Sequence, residues 1–225
     1  MIRLENLSKT YWVSGEKKVV AKNISVTFPT GASVALLGRN GAGKSSLLRM
    51  IAGTMDADHG RITSDGTISW PVGFAGSFHR DLTGAQNTRF VARVYGVDTD
   101  ALSAFVEDFA ELGPHFHLPF RTYSSGMRSR LSFGVSMGIR FDTYLVDEVT
   151  SVGDAAFKKK SRQVFLERIR SSGAIVVSHG MSMVRRLCTS GAVLEDGHLT
   201  YYDNLEEAIA HHKANVGADD EDDDD

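Results

Sequence analysis

The stretch that decides the fold is SVALLGRNGAGKSSLLRMIAG, which occupies residues 33–53. It joins an apolar run at 34–37, a loop rich in glycine, and a segment at 44–52 whose apolar spacing predicts a helix. The loop, GRNGAGKS, matches the pattern G-x-x-x-x-G-K-[ST], and it lies between an apolar run and a predicted helix, as a phosphate-binding loop does. This setting favours a phosphate-binding loop over a chance glycine-rich turn.

Each part of the loop has a chemical task. The glycines let the backbone curl so that its N–H groups point at phosphate oxygens, and the start of the helix adds further amides. Lys44 can then reach the β- and γ-phosphates of ATP, and the Ser45 hydroxyl can bind Mg²⁺. The predicted nucleotide-binding residues of this segment are Gly38, Arg39, Asn40, Gly41, Ala42, Gly43, Lys44, Ser45 and Ser46.

Polar residues follow two other apolar segments. The run at 143–146 ends in Asp147 and Glu148, and the run at 174–177 ends in Ser178 and His179. We expect Asp147 to hold Mg²⁺, often through a water, and Glu148 to polarise the attacking water as a general base. His179 is predicted to contact the γ-phosphate or that water, although an isolated histidine is more often a structural hydrogen-bonding residue.

The alternation of apolar runs and turn residues predicts an α/β protein. A helix-rich stretch at about 82–139 separates two strand-bearing parts, as a helical subdomain would. Strands are predicted at 24–28, 34–37, 144–146, 174–177 and 193–194, and helices at 44–52, 90–95, 101–112, 127–138 and 157–169.

Composition narrows the functional classes. No apolar run approaches the roughly 18 residues that predict a membrane-spanning helix, so work at a membrane would require another chain. The lone cysteine, Cys188, excludes an internal disulfide and is expected to be buried filler. The net charge of the chain is −3, and residues 219–225, DDEDDDD, alone carry −7, so the remainder carries about +4. A run of like charges of this kind predicts a disordered acidic tail. The basic clusters at 158–162 and 185–186 lack interleaved aromatics, so we expect no nucleic-acid partner.

With YSSGM at 123–127 between the phosphate loop and the acidic pair, the chain resembles the ATP-binding subunits of ABC transporters from residue 2 to about 213. The resemblance implies a P-loop NTPase fold of the ABC ATPase type, with a mixed-sheet nucleotide-binding core and a helical subdomain. It also implies that the loop of Ser124, Ser125 and Gly126 contacts the γ-phosphate bound by a second copy. Ser124 and Gly126 match the family's common LSGGQ form, whereas Tyr123, Ser125 and Met127 depart from it.

The resemblance assigns three further positions. Tyr11 matches the aromatic that stacks on adenine, with Trp12 as its rival, and Asp154 matches a residue that links the two active sites of a dimer. His79 stands where the family usually carries a glutamine that senses Mg²⁺ and the membrane partner. A histidine has a shorter reach and a charge that depends on pH, which puts that coupling role in doubt.

A narrower likeness lies in three segments: ISWPVGFAGSFHRDLTG at 68–84, YSSGMRSRLSFG at 123–134 and VDEVTSVGDAAFK at 146–158. These segments resemble the subgroup that exports capsular polysaccharide from Gram-negative bacteria. The likeness implies a homodimer of ATPase subunits at the cytoplasmic face of the inner membrane. It also implies an integral membrane permease as a partner, and envelope-spanning export proteins as candidate further partners. An ABC ATPase domain is expected over 1–217, followed by the acidic tail over 218–225.

Several alternatives stay open at this point. The related exporters of O-antigen and teichoic acid share the YSSGM and VGD features of this sequence. An importer subunit is only weakly disfavoured. A soluble ABC protein of DNA repair or translation would usually carry two ATPase units or long coiled-coil insertions. A nucleotide-binding switch would not need the Ser124 loop or His179.

Overall fold

The computed structural model describes residues 1–13, 15–73, 76, 78–147 and 154–216. These residues form two compact units. The first contains the described residues of Met1–Pro71, Asp142–Glu148 and Ile169–Asp225, and the second those of Val72–Phe141 and Val149–Arg168. Within the described part of the chain, none of the helices has both the length and the apolar character that crossing a bilayer requires.

Strands and helices alternate along much of the chain. The strands are β1 (Ile2–Val13), β2 (Glu16–Phe28), β3 (Ser33–Leu37), β4 (His59–Ser64), β5 (Ile68–Pro71), β6 (Thr143–Asp147), β7 (Gly173–Val177), β8 (Ser190–Glu195) and β9 (His198–Tyr202). The helices are α1 (Lys44–Ile51), α2 (Gly84–Val94), α3 (Thr99–Ala110), α4 (Ser125–Gly138), α5 (Ala155–Arg170), α6 (Met181–Leu187) and α7 (Leu205–Val216). Short 3₁₀ turns occupy Gly113–His117 and Phe120–Thr122.

The first unit is built on a six-stranded sheet with the order β5-β6-β7-β3-β8-β9. The first five strands in this order run parallel to one another. Strand β9 pairs antiparallel with β8, so the sheet is mixed. Every residue of β3 and β7 is buried, as expected for central parallel strands that are covered on both faces. This confirms the α/β class and the mixed-sheet core.

A smaller antiparallel sheet with the order β2-β1-β4 completes the first unit. Buried side chains of β1 and β2 join those of β3, α1 and β7 in one hydrophobic cluster. Helix α1 contributes Leu47, Leu48, Met50 and Ile51 to this cluster, so burial of one helix face fixes the helix that follows the phosphate loop.

The second unit is helical, and side-chain caps mark where its helices begin. Thr83 and Gln86 form a reciprocal capping box at α2, and the Asp98 carboxylate accepts from two backbone N–H groups at the start of α3. Phe109 stacks on Phe133 of α4, with ring centroids 5.9 Å apart, and meets Phe157 of α5 edge-on. These contacts give the helical unit its own aromatic core.

Every predicted segment overlaps a strand or helix of the predicted kind. The elements that sequence analysis missed are β1, β4, β5, β9, α6 and α7. Strand β4 has no alternating pattern because it is exposed at all but one position, and α6 buries only Val184. The predicted domain range 1–217 and the acidic tail at 218–225 stay a prediction, since 217–225 lie outside the described residues.

Candidate functional site

Three neighbouring strands bring the main predicted residues of the first unit to one edge of the sheet. Strands β6, β7 and β3 are adjacent and parallel, with Asp147 opposite Val177 on β7 and Ala35 opposite Val176. The phosphate loop follows β3, and His179 lies two residues beyond β7. Because the carboxyl ends of parallel strands meet at one edge, this order places the loop, Asp147 and His179 side by side.

Close packing explains why the loop needs glycine at its two ends. A Cβ on Gly38 would lie 2.4 Å from the carbonyl oxygen of Leu194 on β8. Gly43 has a φ of 108°, and a Cβ there would lie 2.8 Å from the Cβ of Val20 on β2. The loop is therefore held between two strands that are distant from it in sequence, and its backbone lies where side chains do not fit.

Lys44, the first residue of α1, lies back across the loop. Its ammonium donates to the carbonyl oxygens of Gly38, at 2.6 Å, and of Arg39, at 3.0 Å. The Arg39 carbonyl also accepts from the N–H of Ala42, at 3.1 Å, which closes the turn. The arrangement places a cation and the N-terminus of a helix at one small loop, a combination suited to binding phosphate.

Tyr11 lies beside the first turn of α1. Its hydroxyl is 3.3 Å from Oγ of Ser46 and donates to Sδ of Met55 at 2.7 Å. Trp12, the rival aromatic, is 73% exposed. Successive side chains of a strand point to opposite faces, so only Tyr11 of the two faces α1. This position suits the predicted adenine contact of Tyr11, which stays a prediction.

The acidic pair is described only in part. Asp147 is half-buried at the last position of β6, and Glu148 lies outside the described residues. Hydroxyl and carboxylate oxygens are ligands that Mg²⁺ accepts, so the chemistry of Ser45 and Asp147 fits that ion. The imidazole of His79, the third predicted metal contact, is a poorer match because Mg²⁺ prefers oxygen. His179 is exposed beyond the buried strand β7.

In the second unit, the loop of Ser124 begins a helix as predicted. Ser124 is the N-cap of α4, and its hydroxyl accepts from the N–H of Met127 at 3.3 Å. Helix α4 itself begins with Ser125 and Gly126, and a Cβ on Gly126 would meet nothing closer than 4.0 Å. The loop therefore leaves the helix N-terminus open to an anion.

Tyr123, which departs from the family's usual residue, anchors this loop. It is 3% exposed, and its hydroxyl donates to the carbonyl oxygen of His115 at 2.6 Å. A Cβ on Gly84, at the start of α2, would lie 2.4 Å from that hydroxyl. The larger side chain is thus accommodated by a glycine on α2, and it ties the loop to the 3₁₀ turn at Gly113–His117.

Asp154 is engaged within its own unit. Its carboxylate accepts from the N–H of Phe157 at 2.9 Å and pairs with Arg130 of α4 at 2.7 Å. The hydrogen bond from Phe157, and then the positive charge of Arg130, lower the pKa of Asp154. Its side chain remains 66% exposed, so the predicted contact across a dimer stays open to it as a prediction.

His79 is positioned by a residue that sequence analysis missed. The side chain of Asn87, 1% exposed on α2, accepts from the N–H of His79 at 2.8 Å. Asn87 also donates to the carbonyl oxygens of His79, Leu82 and Thr83. The imidazole is exposed, and its Nδ1 accepts from the N–H of Asp81 at 3.3 Å. No local sequence pattern marks this role, because the carbonyl groups that Asn87 binds come together only in the folded turn.

Two histidines of α7, His211 and His212, lie half-buried. Nδ1 of His211 is 3.0 Å from the hydroxyl of Tyr202. Nδ1 of His212 is buried and makes no hydrogen bond to any residue that the structure describes. Burial, and then the charge of Lys44, lower the pKa of His212. His212 lines the same cavity as residues 38–42, which places this part of α7 beside the phosphate loop.

The chain belongs to the ABC transporter family, whose model matches residues 21–151. Among its relatives, the polysialic acid transport ATP-binding protein KpsT of Escherichia coli is 48% identical over 95% of this chain and 96% of its own. The capsule polysaccharide export ATP-binding protein CtrD of Neisseria meningitidis serogroup B is 40% identical over 95% and 99%.

A solved structure supports the fold. The dimeric ATP-binding cassette MJ0796, in a post-hydrolysis state bound to ADP and Pi, superimposes with a TM-score of 0.71. It is 20% identical, and the match covers 91% of this chain and 99% of that one. The predicted ABC ATPase fold is thereby confirmed.

Proposed function

We propose that this chain is the ATP-hydrolysing subunit of an ABC exporter that moves capsular polysaccharide across the inner membrane of a Gram-negative bacterium. The observation that carries the catalytic part is the convergence of the phosphate loop, Asp147 and His179 on adjacent ends of β3, β6 and β7. The choice of cargo is supported by two relatives whose names specify polysialic acid or capsule polysaccharide, matched over nearly their whole lengths.

Binding of ATP would use the residues described above in distinct roles. The amides of residues 41–46 and the ammonium of Lys44 would hold the phosphates, and Tyr11 would stack on the base. Lys44 would exchange its present contacts with the Gly38 and Arg39 carbonyls for phosphate oxygens. The metal, when bound, would neutralise phosphate charge through Ser45 and Asp147.

Hydrolysis would require a water held in line with the γ-phosphate. Glu148 would orient it and accept its proton, while His179 would donate a hydrogen bond to the γ-phosphate or the water. The second copy in a homodimer would supply its Ser124, Ser125 and Gly126 loop, which presents the open N-terminus of α4. Most of the rate gain would come from positioning and electrostatics, as is usual for phosphoryl transfer.

Two substitutions separate binding from chemistry. Glu148→Gln should retain MgATP affinity and lose most turnover, whereas Lys44→Ala should abolish tight nucleotide binding. A nucleotide titration and a phosphate-release assay on the same preparations measure both. Near-normal turnover in the Glu148→Gln variant would remove Glu148 as the base. Failure of the unchanged chain to bind MgATP would refute the ATPase proposal itself.

The transport part needs a cellular test. Affinity purification from membranes should recover this chain with a permease of several spans, and cells with the Glu148→Gln variant should accumulate polysaccharide inside. Accumulation of O-antigen or teichoic acid instead would assign the chain to those related exporters. Recovery with ribosomes or DNA would favour a non-transport ABC protein. Envelope-spanning proteins in the same purification would extend the proposed assembly.

A further inference from the structure

The hairpin of β1 and β2 presents two consecutive lysines in opposite directions. In the antiparallel ladder, Lys18 lies opposite Tyr11 and Lys17 lies opposite Trp12. Directly opposed residues of two strands share a face of the sheet, and their neighbours share the other face. Lys18 therefore lies on the face of Tyr11, and Lys17 lies on the face of the exposed Trp12.

The face that carries Lys18 meets the phosphate loop. Nζ of Lys18 is 3.3 Å from the position that a Cβ on Gly41 would occupy. Val20, two residues further along the same face of β2, packs against Gly43 at the other end of the loop. The ammonium of Lys18 therefore lies beside the turn of the loop, on the same face of the hairpin as Tyr11.

The charge of Lys18 is not neutralised within the described part of the chain. Among the described residues, none forms an ion pair or hydrogen bond with the Lys18 ammonium. It lines a cavity of about 490 Å³ with residues 38–42, Glu195 and His212. Lys17 also borders this cavity, but its pairing with Trp12 puts its side chain on the opposite face of the hairpin. Glu195 and Asp196 are the carboxylates of this cavity, and the Glu195 carboxylate accepts from Nδ2 of Asn215 at 2.6 Å. A second cation beside a loop of inward amides favours a ligand with more than one phosphate.

We infer that Lys18 is a further nucleotide-binding residue, whose ammonium contacts the phosphate chain between a base stacked on Tyr11 and the phosphate loop. The ligand class is a nucleoside di- or triphosphate, since a base and a charged chain must both be in reach. This inference rests on the proposed function, and it adds a contact that the loop pattern alone does not predict.

The neighbouring lysine provides a matched control. Lys18→Gln and Lys17→Gln remove the same charge from opposite faces of one strand, and Lys18→Arg keeps the charge. Isothermal titration with MgADP, and with a non-hydrolysable MgATP analogue, gives Kd for each variant of the full chain. Lys18→Gln should weaken both ligands roughly 5- to 30-fold, as loss of a charge-assisted hydrogen bond would. Lys17→Gln should stay within about twofold, and Lys18→Arg within about threefold.

Salt dependence and stability separate ligand binding from a structural role. Kd of the unchanged chain should rise more steeply with NaCl than Kd of Lys18→Gln, because one charged contact is missing in the variant. Without nucleotide, the Tm values of the two glutamine variants should agree. A lower Tm for Lys18→Gln alone would assign Lys18 to holding the loop and overturn the inference.

The possible failures are distinct. Equal Kd values for Lys18→Gln and Lys17→Gln, with tight binding by the unchanged chain, would refute the role of Lys18 and leave the proposed function intact. No binding by the unchanged chain would refute the proposed function, and the inference with it.

Discussion

Replacement of Gly43 by alanine tests how β2 supports the phosphate loop. Gly43 precedes α1 with a φ of 108°, and the added Cβ would lie 2.8 Å from Cβ and 3.2 Å from the carbonyl oxygen of Val20. Ordinary contacts of such atoms begin near 3.4 Å. Because Val20 is 3% exposed and belongs to a paired strand, it has little room to move away.

Two costs combine in the folded state. A positive φ costs an L-residue about 1–2 kcal/mol, and overpacking of a buried site costs about 1–3 kcal/mol. The free energy of unfolding should therefore fall by roughly 2–5 kcal/mol in Gly43→Ala. Adding Val20→Gly removes the Cβ that lies 2.8 Å from the new methyl group and leaves the backbone cost. The double variant should thus be more stable than the sum of the two single effects predicts, by roughly 1–3 kcal/mol.

Urea unfolding of the four proteins in this cycle, followed by circular dichroism, measures both quantities. Nucleotide titration of the same proteins shows whether the loop still binds phosphate. A loss below about 0.5 kcal/mol in Gly43→Ala would show that the loop yields without strain. Additivity within about 0.5 kcal/mol would show that Val20 does not restrict Gly43. Either result would refute the account of the loop as a backbone held against β2.

Three further predictions concern residues outside the loop. Tyr123→Phe removes the hydroxyl that donates to His115 and should lower the free energy of unfolding by about 1–3 kcal/mol, measured in urea. Burial raises the pKa of Cys188 to about 12, so a thiol reagent at pH 8 should label it only after unfolding. Hydrogen bonds from the N–H and hydroxyl of Thr67 lower the pKa of Asp142. The unchanged chain should therefore have a higher free energy of unfolding than Asp142→Asn. This difference should be complete above the pKa of Asp142 in the unfolded state and disappear as pH falls through its pKa in the folded state. Urea unfolding of both proteins from pH 7 to 3 measures it.

The phosphate loop could be predicted because its requirements are local. About twenty consecutive residues contain the pattern of a buried strand, three loop glycines and a helix with one apolar face. The contacts that hold it are not local, since Val20 and Leu194 come from β2 and β8. Their positions follow from strand order, which the sequence pattern does not specify. Lys18 was missed for the same reason, because its proximity to Gly41 depends on the pairing of β1 with β2.

The helical unit shows a second limit of prediction. Helix α4, predicted over 127–138, begins two residues earlier at Ser125, because the Ser124 hydroxyl caps it. Asn87 was missed because its role depends on carbonyl groups that a folded turn brings together. Helix α7 was missed although it buries Leu205, Ala208 and Ile209, since the exposed charges between them obscure a short apolar stripe.

The strand that precedes the phosphate loop pairs with two strands that are synthesised much later. Strand β3 ends at Leu37, yet its partners β7 and β8 lie at Gly173–Val177 and Ser190–Glu195. On the ribosome, β3 would leave the exit tunnel long before either partner exists. A chain arrested during synthesis would therefore carry the loop residues without the sheet edge that shapes them. Nucleotide capture would then mark a finished polypeptide, and ATP could stabilise only molecules whose last strands had already emerged.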